Sequence, residues 1–225
     1  MATSYAPNIV SDGIVACWDA AGKRSYPGTG TTWTDLAGSN NGTLENGPTF
    51  SSDNGGSIVF DGSDDEIVCG NGDFIEGLTE ITACCWVLVE DAGSSAYPRL
   101  IAKSFSGDFD LWAYRNDSTI GVWIGDSGYM MAPEDTITLG QWFYAVARFK
   151  SGETNGNQLW VNGVKVDEET KTATIGTSST GLTLGNGNSQ ARPLSGKMAS
   201  ASIYNRALTA AEILQNYNAT KWRFQ

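Results

Sequence analysis

The sequence predicts an all-β chain, two antiparallel sheets packed as a sandwich or jelly roll with one short helix at the C-terminal end. Three observations carry this. Short apolar, β-branched and aromatic runs recur at regular spacing over most of the 225 residues. Asn162-Gly163 separates the runs Gln158 to Val161 and Val164 to Asp167, and Asn-Gly between two such runs signals a two-residue hairpin whose central positions need positive φ. Near the C-terminus the period changes, with Leu208, Ile213 and Tyr217 at helical spacing.

The elements follow in order. Ile14 to Trp18 is the first strand, after a polar leader over residues 1–13 that is a candidate docking arm. Ala20 to Thr49, rich in Gly, Ser, Thr and Asn with Pro27-Gly28 and Asn41-Gly42 as turn markers, predicts one long folded loop. Ser57 to Phe60 and Ile67 to Cys69 flank the acidic turn Asp64-Asp65-Glu66. Ile81 to Val89 is apolar throughout, and its β-branched and aromatic content predicts a strand buried on both faces. Strands follow at Leu100 to Ala102, Phe109 to Tyr114, Ile120 to Ile124, Tyr129 to Ala132, Trp142 to Phe149, Leu182 to Leu184 and Met198 to Tyr204. Thr209-Ala210-Ala211-Glu212 has the form of a capping box, so the helix is expected over about 209–218. Residues 14–225 are thus expected to form one domain, with no internal repeat.

Composition narrows the chemistry. Fourteen Lys and Arg against 25 Asp and Glu give a net charge of −11, which disfavours a nucleic acid partner. With no histidine, a Ser-His-Asp triad and any histidine-ligated zinc site are excluded. Residues Met1 to Ser11 lack the pattern of a secretory signal, and no run of about 18 apolar residues predicts membrane insertion. Synthesis in a cytoplasm is expected. Cys17, Cys69, Cys84 and Cys85 lie in strand patterns and are expected as buried free thiols, Cys84 and Cys85 pointing to opposite faces.

Several segments together resemble the LamG-like jelly-roll domain of the concanavalin A-like lectin/glucanase superfamily. They are Asn41 to Leu44, Val59 to Gly62 with Asp64-Asp65, Ile81 to Val87, Gly140 to Trp142 through Val161 to Gly163, Leu184-Gly185, Gly196 to Met198, and Ile203 to Leu208 running into Glu212-Ile213. The opening segments Tyr5 to Val10 and Ser25 to Gly28, before Thr32 to Leu36, resemble the form of this domain found in tailed-bacteriophage virion proteins. The resemblance implies a concanavalin A-like, two-sheet antiparallel jelly roll that binds glycans or proteins. Some relatives hold calcium near a sandwich rim, and others are glucanases.

The glucanase reading needs a Glu-x-Asp-x-Glu array, whose alternation points its carboxylates into one cleft with nucleophile and acid/base about 5 Å apart. The chain has no such array; Asp64-Asp65-Glu66 and Asp167-Glu168-Glu169 are consecutive and fall at turns. The prediction is therefore no enzyme. Alternation in Phe109 to Tyr114 and Ile120 to Ile124 sets Trp112, Tyr114 and Trp123 opposite the aliphatic rows, a candidate aromatic patch for a ligand or partner. Trp142 and Trp160 are expected to fill core or seal an edge. Asp61, Asp64, Asp65 and Asn186 offer hard oxygen donors and are the candidates for calcium, which the fold is not expected to require. Leu184 to Asn188 lacks a following Lys-Ser or helix start, so it is no phosphate cradle.

Together these readings predict a non-catalytic, lectin-like virion structural protein at the virion surface, a capsid decoration, fibre or baseplate component. Its expected partners are other virion proteins and host-surface glycans, and a homo-oligomer is left open. The alternatives are a soluble carbohydrate-binding module of a bacterial surface protein and a divergent glycoside hydrolase.

Overall fold

A computed structural model describes residues 8–103, 108–187 and 192–224. In chain order the strands are β1 Ile14–Asp19, β2 Thr32–Trp33, β3 Gly42–Glu45, β4 Thr49–Ser51, β5 Ser57–Asp61, β6 Glu66–Val68, β7 Glu80–Val89, β8 Arg99–Ala102, β9 Phe109–Tyr114, β10 Thr119–Ile124, β11 Tyr129–Met131, β12 Trp142–Lys150, β13 Asn157–Val161, β14 Val164–Glu169, β15 Thr183–Leu184 and β16 Ser195–Tyr204, followed by helix α1 Ala210–Thr220. They form two eight-stranded sheets. The first runs β14-β13-β12-β7-β16-β5-β4 with β1 also on β16, and the second runs β11-β10-β9-β8-β15-β6-β3-β2. Neighbouring strands are antiparallel, as in β7 on β12 and β9 on β10.

The inner rows weld the sheets. Ala83, Cys85, Val87, Phe143, Ala145 and Ile203 of the first sheet meet Ile67, Leu100, Phe109, Leu111, Val122 and Leu184 of the second in one buried core. Burying apolar rows from both sheets is the dominant stabilising term in such a sandwich. Strand β7 is buried on its outer face too, where Cys84 and Trp86 join Tyr144, Val146 and Trp160 beneath Ile213 of the helix. That two-sided burial is why its sequence is apolar without alternation. Cys84 and Cys85 do point to opposite faces, and all four cysteines are free thiols. Trp160 is buried in the outer cluster and Trp142 packs against it, as expected of core and edge fillers.

The Asn162-Gly163 hairpin forms as predicted, with φ of 52° and 78° and Val161 opposite Val164. The long loop expected from Ala20 to Thr49 is interrupted by β2 and β3 and gives way to β4 at Thr49. Asn41-Gly42 is not a turn: Gly42 opens β3, and a Cβ there would come 2.6 Å from Cγ2 of Ile67. The glycine is set by that close approach rather than by a turn conformation.

The leader is described from residue 8 onward; residues 1–7 of the expected arm lie outside the described residues. From there it is pinned to the helix. Val10 N donates to Asn216 Oδ1 (2.8 Å), Asn216 Nδ2 donates to the Tyr204 hydroxyl (3.0 Å), and that hydroxyl donates to Val10 O (3.0 Å). Arg206 holds the neighbouring corner, pairing with Asp12 at 3.0 Å and with both carboxylate oxygens of Glu212 at 3.0 and 2.7 Å. Thr209 and Glu212 complete the capping box, and the helix extends to Thr220, two residues past its expected end.

Thr209→Ala should lower stability by about 1 kcal/mol, read as a fall of about 2–4 °C in the thermal midpoint. Glu212 is held down at about 2, chiefly by its hydrogen bond from Arg206. Its contribution is therefore complete above the ordinary glutamate range and is lost as pH falls through about 2. In Glu212→Ala, acid titration of stability should lack that step.

Candidate functional site

With the helix over the first sheet, the outer face of the second sheet presents the aromatic rows. Leu111 and Ala113 face the core from β9, so Asp110, Trp112 and Tyr114 face outward; Val122 and Ile124 do the same on β10, leaving Gly121 and Trp123 outside. Gly121 lies directly opposite Trp112. A Cβ at Gly121 would come 2.6 Å from two ring atoms of Trp112, so the indole lies flat across the glycine. Trp123 lies opposite Tyr129 of β11, their rings 6.1 Å apart, and Trp112 meets Tyr129 at 6.4 Å and 60°.

These rings line a cleft of about 290 Å³, whose lining is Tyr97, Arg99, Trp112, Trp123, Tyr129, Met131 and Arg192. Tyr129 is 60% exposed at the edge. Of the three aromatic residues singled out from the sequence, Trp112 and Trp123 line the cleft. Tyr114 lies behind the wall, stacked on Tyr97 with ring centroids 4.3 Å apart and planes 2° from parallel. Tyr129 and Met131 were missed, although their alternation on an edge strand beside Trp123 was visible. Tyr97 and Arg192 lie outside any strand, where no periodicity marks them.

Arg99 forms the floor, with Asp110 buried beneath it. Nε of Arg99 lies 2.6 Å from Oδ2 of Asp110, Nη1 donates to Tyr97 O at 3.2 Å, and the guanidinium sits 5.1 Å from the centre of the Trp112 ring. The Asp110 contact is a close ion pair, and among the described residues neither Oδ1 of Asp110 nor Nε1 of Trp112 has a hydrogen-bond partner. Burial pushes Asp110 up from 3.8 to about 7, against the opposing pull of Arg99 and Arg192.

Asp61, Asp64 and Asp65 come together at the β5–β6 turn, each offering a carboxylate oxygen within 4.8 Å of the others. Hard carboxylate donors of this kind suit calcium. Two of these oxygens already accept backbone N–H groups, Asp61 Oδ1 from Ser63 and Asp65 Oδ2 from Asp61. The β15–β6 register, Leu184 opposite Ile67, carries Asn186 toward the same end of the sheet. Its Oδ1, however, accepts the N–H groups of Gly187 (2.8 Å) and Arg192 (2.9 Å). Asn186 thus holds the backbone N–H of Arg192 beside the cleft.

The model of the concanavalin A-like lectin/glucanases superfamily, Laminin_G_3, matches residues 61–214. A search of curated proteins returns no match. Among solved structures, a Trypanosoma rangeli sialidase in complex with sialic acid aligns with a TM-score of 0.70 at 14% identity, over 98% of this chain and 36% of the sialidase. The chain thus spans about a third of that protein. Domain 4 of AbnA, an extracellular arabinanase of Geobacillus stearothermophilus, in complex with arabinotriose, aligns with a TM-score of 0.68 at 17% identity, over 91% of this chain and 98% of the domain. The binding domain of Paraclostridial Mosquitocidal Protein 1 aligns with a TM-score of 0.70 at 15% identity, over 93% of this chain and 52% of that domain. At such identities the likeness is one of fold.

Gly121→Ala should force the Trp112 indole off its seat and destabilise the protein by about 1–3 kcal/mol in urea unfolding. Asp110 gives a pH signature. Its folded pKa is raised, so its contribution is complete below the ordinary aspartate value of 3.8 and lost as pH rises through about 7. The chain has no histidine to titrate in that window. Wild-type stability should fall between about pH 4 and pH 7, and Asp110→Asn should flatten the profile.

Proposed function

The chain belongs to the concanavalin A-like lectin/glucanases superfamily, and from that premise we propose that it is a non-catalytic carbohydrate-binding module whose ligand stacks in the cleft of Trp112, Trp123 and Tyr129. The observation that carries this reading is the cleft itself: four aromatic rings, Tyr97, Trp112, Trp123 and Tyr129, line it together with two arginines. Aromatic faces pack against the C–H faces of sugars, and the polar groups fix orientation. The lining includes no carboxylate among the described residues, whereas glycoside hydrolysis by the common route needs two. That favours binding over a divergent hydrolase. The complex of arabinanase domain 4, of similar fold, with arabinotriose adds support.

A second layer is the location. The opening segments Tyr5 to Val10 and Ser25 to Gly28 favour display on a bacteriophage particle, where the module decorates a capsid, fibre or baseplate. Many weak sites on one particle act together by avidity, so modest affinity for each suffices. Mass spectrometry of purified particles tests this, and absence of the chain from them would leave the bacterial surface module as the reading.

Titration against an oligosaccharide panel tests the binding reading. Trp123→Ala should weaken the best ligand about tenfold or more, with a fall of only a few degrees in the thermal midpoint, because the partly buried ring also stacks on Tyr129 and donates to Gly125 O. Calcium is not required by the cleft, so affinity should persist in EDTA. Sugar release by the wild-type chain, or a Trp123→Ala variant that binds normally, would overturn the proposal.

A further inference from the structure

Two cations share one wall of the cleft. The N–H of Arg99 donates to Arg192 O at 3.0 Å, which sets the two residues side by side on adjoining segments. Arg99 is 4% exposed and committed to Asp110 and Tyr97. Arg192 is half-buried, its guanidinium 5.3 Å from the centre of the Tyr97 ring. Among the described residues no carboxylate lies within ion-pairing distance of Arg192. The carboxylate paired with this wall, Asp110, is 1% exposed, and burial raises its pKa against the pull of both arginines.

The wall therefore carries more positive than negative charge, in a chain whose net charge is −11. Two neighbouring guanidinium groups whose shared counter-charge is buried and already paired with Arg99 favour the arrival of an anion. A planar fork of N–H donors matches a carboxylate in two parallel hydrogen bonds. The aromatic rings on the opposite side supply a surface for a sugar ring.

Building on the carbohydrate-binding reading above, we propose that the ligand is an acidic saccharide, its ring on Trp123 and Tyr129 and its carboxylate on Arg192. Asn186 is a positioning residue, since its side-chain oxygen fixes the Arg192 backbone. Arg99 is the electrostatic floor, oriented by Trp112 and Asp110.

The 225-residue chain on an array of hexuronate and nine-carbon sugar-acid oligosaccharides, each printed beside its carboxyl-reduced counterpart, tests this. The expected signals fall on acidic members and drop about tenfold or more on carboxyl reduction. Equal binding of the reduced forms overturns the acidic preference and leaves carbohydrate binding standing; no signal on either overturns both. Arg192→Gln should bring the ratio of acidic to reduced affinity close to one, whereas Trp123→Ala should weaken both forms. An Arg192→Gln variant with a wild-type thermal midpoint that keeps the wild-type ratio overturns the assignment of the carboxylate to this residue.

Discussion

The architecture depends on the two-sided burial of strand β7. Its inner row of Ala83, Cys85 and Val87 joins the sheets, while Cys84 and Trp86 on its other face are also apolar and must be covered. Helix α1 and the segment after it do that: Ile213 packs over the outer row, Trp86 stacks on Phe224 at 4.1 Å, and its Nε1 donates to Thr220 Oγ1 at 2.7 Å. The cover is locked by charge and polar contacts. Arg206 ties Asp12 to Glu212, and Arg223 ties the C-terminal turn to Asp19 and to the carbonyls of Asn54 and Gly56. One outer face is thereby consumed by the fold, and the other is left to carry the aromatic cleft.

Within that second face, stability and recognition pull apart. A buried ion pair such as Arg99–Asp110 loses hydration on both partners, and its mutual attraction rarely exceeds that loss. Here the ordinary Asp value is displaced upward, so desolvation outweighs the attraction of the arginines. The pair is thus poorly explained as a source of stability. It does hold the Arg99 guanidinium against the Trp112 face, and Gly121 supplies the flat seat that lets that ring lie down. The wall is preorganised at some cost to the fold, a common property of recognition sites.

What could be read from the sequence was what local rules determine. Period-two alternation on β9 and β10 separated Trp112 and Trp123 from the core, positive φ identified the Asn162-Gly163 hairpin, and the capping box set the start of the helix. Where tertiary contacts override local preference, reading failed. Gly42 looks like a turn residue but exists to admit Ile67, and β2 to β4 are pieces of two to four residues, too short to show a period, with β3 also pairing with β6 across two intervening strands. Tyr97 and Arg192 come from irregular segments and reach the cleft only because β8 and the Asn186 segment close beside each other. The aspartates were legible as a cluster in sequence, but not the backbone N–H groups that already occupy two of their oxygens.

The strongly acidic chain and a cationic cleft are compatible because the two act over different distances. At physiological salt, exposed charges farther apart than about 8 Å are largely screened, so the −11 spread over the surface acts weakly on a small ligand already between aromatic walls. Inside the cleft, low-polarity walls focus the field of nearby guanidinium groups and strengthen it. A nucleic acid meets the opposite balance: it brings about one charge per 1.7 Å of duplex, so most of its phosphates would face acidic surface while very few reached the arginines. The same charge distribution thus disfavours an extended polyanion and suits the proposed ligand, which bears one localised carboxylate.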